Sequence, residues 1–185
     1  MFETFGIEGL IAITPKRHGD HRGWFSEVFR EELFDQHAGE THFVQHNSSH
    51  SNLRGTIRGL HFQRDPMAQG KLVRCPRGRV MDVAVDLRKS SPTFGQHVQV
   101  ELSSENGKQL WVPAGFAHGF CTLEENCEVT YMVTNYYSPE HDSGLRWNDP
   151  ALGISWPVSE HDAVLSEKDS SQPLLAELGS VFANR

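Results

Sequence analysis

Long apolar runs and glycine-rich nucleotide motifs are missing from this sequence of 185 residues. A helix that crosses a bilayer needs roughly 20 apolar residues, and because no run approaches that length we expect no membrane partner. Neither G-x-G-x-x-G nor a P-loop is present, which argues against a dinucleotide-binding fold. Residues 1–9 include Glu3 and Glu8 and lack the basic start of a secretion signal, so we expect a cytoplasmic protein.

Cysteine is scarce, and its three residues do not form a C-x-x-C motif. Three thiols cannot all pair within one chain. We therefore expect Cys75, Cys121 and Cys127 to be reduced and mostly buried, as is typical of proteins from reducing compartments.

Positive charge is also limited, because 17 Lys and Arg face 24 Asp and Glu, for a net charge of −7. This balance argues against nucleic acid as a main partner. Segment 54–79 is the exception, since Asp65 is its only acidic residue among many basic ones. Such a segment can hold a phosphate group locally. A solvated charged face explains it equally well.

Short alternating segments separated by turn residues dominate the middle of the sequence. The clearest is 98–102, where Val98, Val100 and Leu102 alternate with polar residues. Further strands are predicted at 43–49, 56–63, 71–75, 79–87, 110–112, 119–123 and 129–134. Only 31–37 and 173–182 fit a helix. The pattern predicts a single all-β domain over residues 1–185, a sandwich or barrel with a few short peripheral helices.

Segment 58–63 reads Arg-Gly-Leu-His-Phe-Gln and carries the first candidate for chemistry. In a regular strand His61 and Gln63 share one face, and Arg58 falls on the opposite, apolar face. A glycine within a strand often marks a bulge, so we expect the backbone near Gly59 to depart from alternation and turn Arg58 to the face of His61. Read alone, His61 is more readily a structural histidine than a catalyst.

Two later strands carry polar side chains among apolar neighbours. Lys71 shares a face with Val73, so its ammonium either reaches water or is kept for a function. Tyr131 lies between Val129 and Val133, where its hydroxyl either has a core partner or acts in a site. The residues alone leave both alternatives open.

Residues 113–119 read Pro-Ala-Gly-Phe-Ala-His-Gly and resemble the second motif of the cupin superfamily, whose histidine feeds a strand of a jelly-roll barrel. Metal-binding cupins also carry a His-x-His pair, where this sequence has His61, Phe62 and Gln63. Since stable transition-metal sites normally take three or four ligands, the resemblance predicts a cupin-type barrel without a functional metal. A metal-dependent oxygenase or isomerase using His61 and His118 is the alternative.

Ten segments between about residues 20 and 170 are similar, in order, to the dTDP-4-dehydrorhamnose 3,5-epimerase family of the cupin superfamily. They are 20–27, 43–47, 58–63, 69–75, 82–86, 91–95, 111–120, 135–139, 147–150 and 165–169. The resemblance implies a cofactor-free homodimer that acts on a nucleotide sugar. It would epimerise C3 and C5 of dTDP-4-dehydro-6-deoxy-D-glucose to form dTDP-4-dehydro-L-rhamnose, in the dTDP-L-rhamnose pathway that supplies polymers such as O-antigen.

The resemblance also implies a role for each matching residue. His61 matches the general base, Tyr131 the general acid, Lys71 the group that stabilises the enolate, and Asp169 the carboxylate that orients the histidine. Nucleotide- and sugar-binding positions are matched by Arg22, Glu27, Gln45, Asn47, Arg58, His118, Tyr137, Asp142 and Lys168. Among these, Tyr137 matches a residue that stacks on the base, and Asp142 stands where the family often has Glu.

The implied chemistry suits these residue types. A neutral histidine, with an ordinary pKa of about 6.5, can remove the weakly acidic proton beside a ketone. A lysine ammonium can stabilise the enolate, and a tyrosine can return a proton from the opposite face. A related epimerase that inverts one carbon or uses another nucleotide stays an alternative. A non-catalytic sugar-nucleotide-binding module is disfavoured, because all four catalytic positions hold suitable residues.

Overall fold

The computed structural model describes residues 1–179 and 181–182, which form mostly short β-strands. The strands are β1 Phe2–Thr4, β2 Ile11–Ile13, β3 His18–Asp20, β4 Gly23–Phe25, β5 Gln45–Ser51, β6 Ile57–Gln63, β7 Lys71–Arg77, β8 Arg79–Asp86, β9 His97–Ser103, β10 Gln109–Val112, β11 Phe116–Thr122, β12 Cys127–Val133 and β13 Asp142–Gly144. The helices are α1 Glu31–Ala38 and α2 Glu167–Ser170, followed by one 3₁₀ turn, Leu175–Glu177. None of these helices is long and apolar enough to cross a bilayer.

Two antiparallel sheets form the body of the protein. The six-stranded sheet has the order β1-β2-β10-β7-β12-β5, and the five-stranded sheet has the order β13-β6-β11-β8-β9. Strands β3 and β4 form a separate hairpin. The predicted all-β jelly-roll barrel is thus confirmed, with the chain crossing repeatedly between the sheets.

The main core lies between the two sheets. Val73 and Val129 of the six-stranded sheet pack there against Val80, Leu102 and Phe120 of the five-stranded sheet. Burying a side chain of this kind typically contributes about 1.5–3 kcal/mol. The three cysteines are buried free thiols, as predicted.

Both sheets are also covered on their outer faces. Phe34 of α1 packs with Trp111 against the six-stranded sheet. Leu145 and Phe182 pack with Phe62 against the five-stranded sheet.

The C-terminal helix predicted at 173–182 is wrong over most of its length. Only the turn Leu175–Glu177 is helical, and Ser180 lies outside the described residues. The backbone of Leu174 is extended, and Gly179 takes a positive φ of 63°. Leu175 and Leu178 nonetheless pack against the five-stranded sheet, so their spacing reflects burial rather than a helix. The predicted helix at 31–37 is confirmed as α1.

The backbone departs from regular alternation at Gly59, as predicted. Arg58 of β6 is paired with Phe120 of β11, and His61 is paired with His118. Two residues separate Arg58 from His61 on β6, whereas only Gly119 separates their partners on β11. This extra residue is a β-bulge. Arg58 and His61 therefore line the same cavity between the sheets.

Glycine is required at the bulge because the two strands nearly touch there. A Cβ on Gly59 would lie 2.6 Å from the Cα of Gly119 and 2.9 Å from the carbonyl oxygen of His118. Gly59 also has a φ of +129°. Both neighbouring atoms belong to the backbone of the next strand and cannot swing away.

We expect Gly59→Ala to lower the free energy of unfolding by about 3 kcal/mol or more, because overpacking adds to an unfavourable φ. Gly39→Ala is the matched control, since Gly39 has a φ of +81° but nothing within 4 Å of a built Cβ. It should lose less than Gly59→Ala, because at Gly39 only the backbone conformation, with φ 81° and ψ 164°, disfavours a side chain. Urea unfolding of both variants measures the difference, and equal losses would show that the close approach is not limiting.

Candidate active site

Two adjoining cavities open between the sheets. The first, of about 410 Å³, contains Arg58, His118 and Asp169. The second, of about 450 Å³, contains Gln45 and Tyr137. Four side chains line both cavities, and they are His61, Lys71, Tyr131 and Lys168. Three of the four predicted catalytic residues thus stand where the two cavities meet.

Asp169 is brought to His61 by a segment far along the chain. Val164 forms a parallel bridge with Thr56, which holds this segment beside the start of β6. Ser166 then caps α2 by accepting the backbone N–H of Asp169 at 3.1 Å. Asp169 Oδ1 lies 2.5 Å from Nε2 of His61.

The Asp169 carboxyl is held in its ionised form. Burial raises its pKa, but the hydrogen bond and charge of His61 lower it, as do hydrogen bonds from Ser166 and from the backbone N–H of Gly59, and the net pKa lies below its ordinary value. A carboxylate only accepts hydrogen bonds, so the Nε2–H of His61 is the donor. The other ring nitrogen, Nδ1, is then the one free to take a proton.

Lys71 is a buried cation next to His61. Its Nζ donates to the backbone carbonyl oxygen of His61 at 3.2 Å. Burial lowers its pKa to about 8, although Asp142 and Asp82 act to raise it. Below that pH the ammonium is present, with donors left to stabilise negative charge on a bound molecule.

Tyr131 faces the same space from the opposite sheet. It lies on β12 of the six-stranded sheet, whereas His61 lies on β6 of the five-stranded sheet. Burial raises the pKa of Tyr131, against the charge of Arg58 and a hydrogen bond from Asn47. The hydroxyl therefore keeps its proton at neutral pH and can donate it.

A second histidine and carboxylate pair lies beside the first. His118 is directly opposite His61 across β6 and β11. Its Nε2 is 2.9 Å from both oxygens of Asp82, which is wholly buried on β8. Burial raises the pKa of Asp82, while the charges of His118 and Lys71 act to lower it. The sequence reasoning missed Asp82, although an acid within an apolar strand was a usable signal.

Arg58 is positioned by β5 at the edge of the six-stranded sheet. Its Nη2 donates to the carbonyl oxygen of His50 at 2.8 Å, and its Nε donates to Ser51 Oγ at 3.1 Å. These bonds leave Nη1 of the guanidinium without a partner among the described residues. The side chain therefore presents a fixed positive charge to the first cavity.

The second cavity is edged by a network of polar side chains. Gln45 donates to Asn47 Oδ1 at 2.8 Å and accepts the backbone N–H of Tyr137 at 3.1 Å. The Tyr137 hydroxyl donates to Asp142 at 3.1 Å, and Lys168 forms an ion pair with the same carboxylate. The aromatic ring of Tyr137 remains half exposed at the cavity mouth.

Gln63, the last residue of β6, holds the loop that carries Tyr137. Its amide donates to the carbonyl oxygens of Met67 at 2.7 Å and Tyr136 at 3.1 Å, and its oxygen accepts the N–H of Ser138 at 2.7 Å. Because Gln63 is buried, its hydrogen bonds hold this loop in place from the protein interior. The sequence reasoning placed Gln63 on the face of His61 but gave it no role.

Two predicted binding residues are not brought to the cavities within one chain. Arg22 lies in the turn between β3 and β4 and pairs with Asp20 at 2.6 Å. Glu27 pairs with Arg30 at 2.8 Å. Neither lines either cavity.

The described residues contain no group of three or more His, Cys, Asp or Glu side chains arranged to hold a metal ion. The polar groups of the site instead form pairs: each of the three carboxylates of Asp82, Asp142 and Asp169 faces a histidine or a lysine. What the arrangement offers chemically is a base, a proton donor and a buried cation around one space.

Comparison with known proteins links this site to one family. The model of the dTDP-4-dehydrorhamnose 3,5-epimerase family matches residues 4–177. The dTDP-4-dehydrorhamnose 3,5-epimerase of Sinorhizobium fredii is 58% identical over 181 residues, which cover 98% of this chain and 92% of the relative.

Solved structures of such enzymes have the same fold. The dTDP-6-deoxy-D-glucose-3,5-epimerase of Legionella pneumophila, in complex with dTDP-4-keto-L-rhamnose, is similar with a TM-score of 0.91 and 44% identity, over 96% of this chain and 94% of that chain. A 3'-monoepimerase from Streptomyces bikiniensis, in complex with dTDP-quinovose, is similar with a TM-score of 0.89 and 35% identity, over 97% of this chain and 91% of that chain.

Proposed function

The chain belongs to the dTDP-4-dehydrorhamnose 3,5-epimerase family, and we propose that it inverts C3 and C5 of dTDP-4-dehydro-6-deoxy-D-glucose to form dTDP-4-dehydro-L-rhamnose. It is an isomerase of the dTDP-L-rhamnose pathway. One observation carries the residue roles: His61, held by Asp169, faces Tyr131 and Lys71 from the opposite sheet across the shared space.

His61 is the base in this proposal. Hydrogens beside a ketone are weakly acidic, so their removal needs a positioned acceptor, and Nδ1 of His61 is free to accept because Nε2–H is held by Asp169. The alternative histidine, His118, is less accessible, with 8% of its side chain exposed against 31% for His61. Proton transfer to a positioned group typically contributes about 10²–10⁴ in rate.

Lys71 stabilises the enolate that proton removal leaves behind. A buried ammonium acts more strongly on a developing oxyanion than it would in water. Loss of one such donor typically costs about 10²–10³ in rate. The burial that lowers the pKa of Lys71 is thus the same feature that makes its charge effective.

Tyr131 returns the proton from the other side. Inversion requires that the carbon lose a proton on one face and gain one on the opposite face, which a single base cannot do. Because Tyr131 and His61 lie on opposite sheets, a sugar ring between them has one on each face. The reaction needs no electron transfer, and the side chains present supply every proton step.

The remaining polar residues suit the nucleotide diphosphate. Arg58 and Lys168 supply positive charge, and arginine can bind phosphate oxygens in a bidentate manner. The half-exposed ring of Tyr137 offers a surface for stacking a base, while Gln45 and Asn47 offer amide groups beside it. Relatives of known structure hold dTDP sugars, which supports this ligand class.

Deuterium uptake tests the function directly. In D₂O with dTDP-4-dehydro-6-deoxy-D-glucose, we expect deuterium to enter C3 and C5 and the product to be dTDP-4-dehydro-L-rhamnose, as followed by NMR. His61→Ala should abolish uptake at both carbons while leaving dTDP binding largely intact, because it removes the proposed base. His161→Ala is the matched control, since that side chain is 96% exposed and lies outside both cavities.

Two results of this experiment would change the assignment. Exchange at the wild-type rate in His61→Ala would remove His61 as the base. Uptake at C3 alone in the wild type would make the protein a single-carbon epimerase, the function of the related enzyme from Streptomyces bikiniensis.

The variant Tyr131→Phe tests the role of the acid independently of the role of the base. The variant keeps the ring and loses the proton that the hydroxyl donates, so we expect deuterium exchange to continue while formation of the L-rhamno product falls by about 10²-fold or more. Product stereochemistry by NMR is the measurement. Normal epimerisation by Tyr131→Phe would show that another group supplies the proton.

We also propose that the protein is a cytoplasmic homodimer in which a second copy completes the site. Buried free thiols favour a reducing compartment. The hairpin β3–β4 carries Trp24 and Phe25, whose side chains are largely exposed. Arg22 is in the same hairpin and lines neither of the two site cavities of its own chain. A partner's cavity would bring this binding residue into use and cover the apolar side chains.

Subunit complementation tests the second copy. His61→Ala inactivates its own cavity, and Arg22→Ala should weaken the cavity of its partner. When the two variants are co-expressed, half of the dimers are mixed and each mixed dimer has one intact site, so we expect about a quarter of wild-type activity. Activity no higher than that of the single variants, or a monomer in analytical ultracentrifugation, would contradict the proposal.

A further inference from the structure

Asp82 is a buried carboxylate that the proposed mechanism leaves without a role. It lies on β8 between Val80 and Ala84, both fully buried, and is itself 0% exposed. Both of its oxygens lie 2.9 Å from one atom, Nε2 of His118. Within residues 1–179 and 181–182 its carboxylate has no other hydrogen bond.

Stability alone explains this pair poorly. Burial of a charged pair is often no better than burial of apolar side chains of similar volume, because desolvation offsets the attraction. The neighbours of Asp82 along β8 belong to an apolar core. Asp82 interrupts this core at the point where its partner, His118, borders the first cavity.

The geometry assigns the proton of His118. Two carboxylate oxygens at equal distance from one nitrogen fit a single N–H shared between two acceptors, whereas a protonated carboxyl would bring only its hydroxyl oxygen to the ring. The Nε2 atom of His118 is therefore the donor. Its Nδ1 has no hydrogen-bond partner among the described residues, and the ring lies on the cavity wall next to His61.

We propose that Asp82 is a positioning residue that fixes the ring orientation and the protonated nitrogen of His118, so that Nδ1 of His118 meets the bound substrate. The neighbouring strands β6 and β11 then carry the histidines of two histidine–carboxylate pairs. The pair His61–Asp169 transfers protons, and the pair His118–Asp82 binds the substrate. This inference rests on the proposed function, because it takes His118 as a substrate contact.

Asparagine in place of Asp82 should move the proton of the neutral His118 ring from Nε2 to Nδ1. An amide has one accepting oxygen and one donating NH₂ group, so it cannot offer two acceptors to the same nitrogen. Its NH₂ group next to Nε2 favours an unprotonated Nε2 and moves the proton of the neutral ring to Nδ1. The same exchange of tautomer lowers activity when the aspartate of a serine-protease triad becomes asparagine.

The tautomer can be read without any ligand. In ¹⁵N-histidine-labelled protein, at a pH where the ring is neutral, long-range ¹H–¹⁵N correlation should show His118 protonated at Nε2 in the wild type and at Nδ1 in Asp82→Asn. His118→Gln identifies the resonances by removing them. A neutral wild-type ring with its proton on Nδ1 would overturn the proposal, even if Asp82→Asn does not fold.

Kinetics test whether the positioning matters for binding. Asp82→Asn and His118→Gln should each raise KM about tenfold, with a smaller change in kcat, and the double variant should be no worse than either single variant because both act on one contact. Additive losses, or a wild-type KM in Asp82→Asn, would overturn the proposal.

Asp86→Asn is the matched control. Asp86 is on the same strand, is equally buried, and binds Arg88, Ser91 and Thr93 outside both cavities. We expect this variant to lower the melting temperature and to leave KM unchanged. A similar rise of KM in Asp86→Asn would show that the effect of Asp82 is a general loss of structure.

The two proposals can fail separately. If the wild-type protein does not epimerise the sugar nucleotide, the proposed function is wrong while the ligand-free tautomer result still stands. If the wild type is active and the Asp82→Asn ring keeps its proton on Nε2, only the role of Asp82 is overturned.

Discussion

The close approach of two backbones at Gly59 and Gly119 is the constraint on which the site depends. It permits the bulge that turns Arg58 and His61 to the same cavity. The N–H of Gly59 also contributes to keeping Asp169 ionised, and that carboxylate accepts a hydrogen bond from His61. A side chain at this position would therefore disturb both His61 and its partner.

The two sheets supply different side chains to the site. The five-stranded sheet supplies the histidines, and the six-stranded sheet supplies Lys71 and Tyr131. In the proposed mechanism, a flat sugar enolate between them can be reached on both faces, which inversion of a carbon requires. The carboxylates of Asp169, Asp142 and Asp82 each face a histidine or a lysine, and none is without a partner.

Sequence reasoning identified strands β5 to β12 but missed β1 to β4 and β13. Most of the site residues that the family resemblance implied line the two cavities. The alternation at 98–102 predicted a strand, and the glycine at position 59 predicted a bulge. Both predictions were possible because period-two burial and the steric freedom of glycine are local properties. The spacing of Leu175 and Leu178 led to the wrong prediction of a helix, because these residues are spaced for packing against a sheet and not by helical geometry. Arg22 matched a binding position, yet one chain alone does not bring it to either cavity of the site.

By itself, the sequence determined the all-β architecture, the family and the strands that carry His61, Lys71 and Tyr131, because these follow from side-chain alternation and from motifs in order. Only the tertiary structure decided which groups meet. Asp169 reaches His61 from 108 positions away, and the partner of His118 proved to be Asp82. Such pairings depend on strand register and on the path of distant segments, which no local pattern of residues encodes.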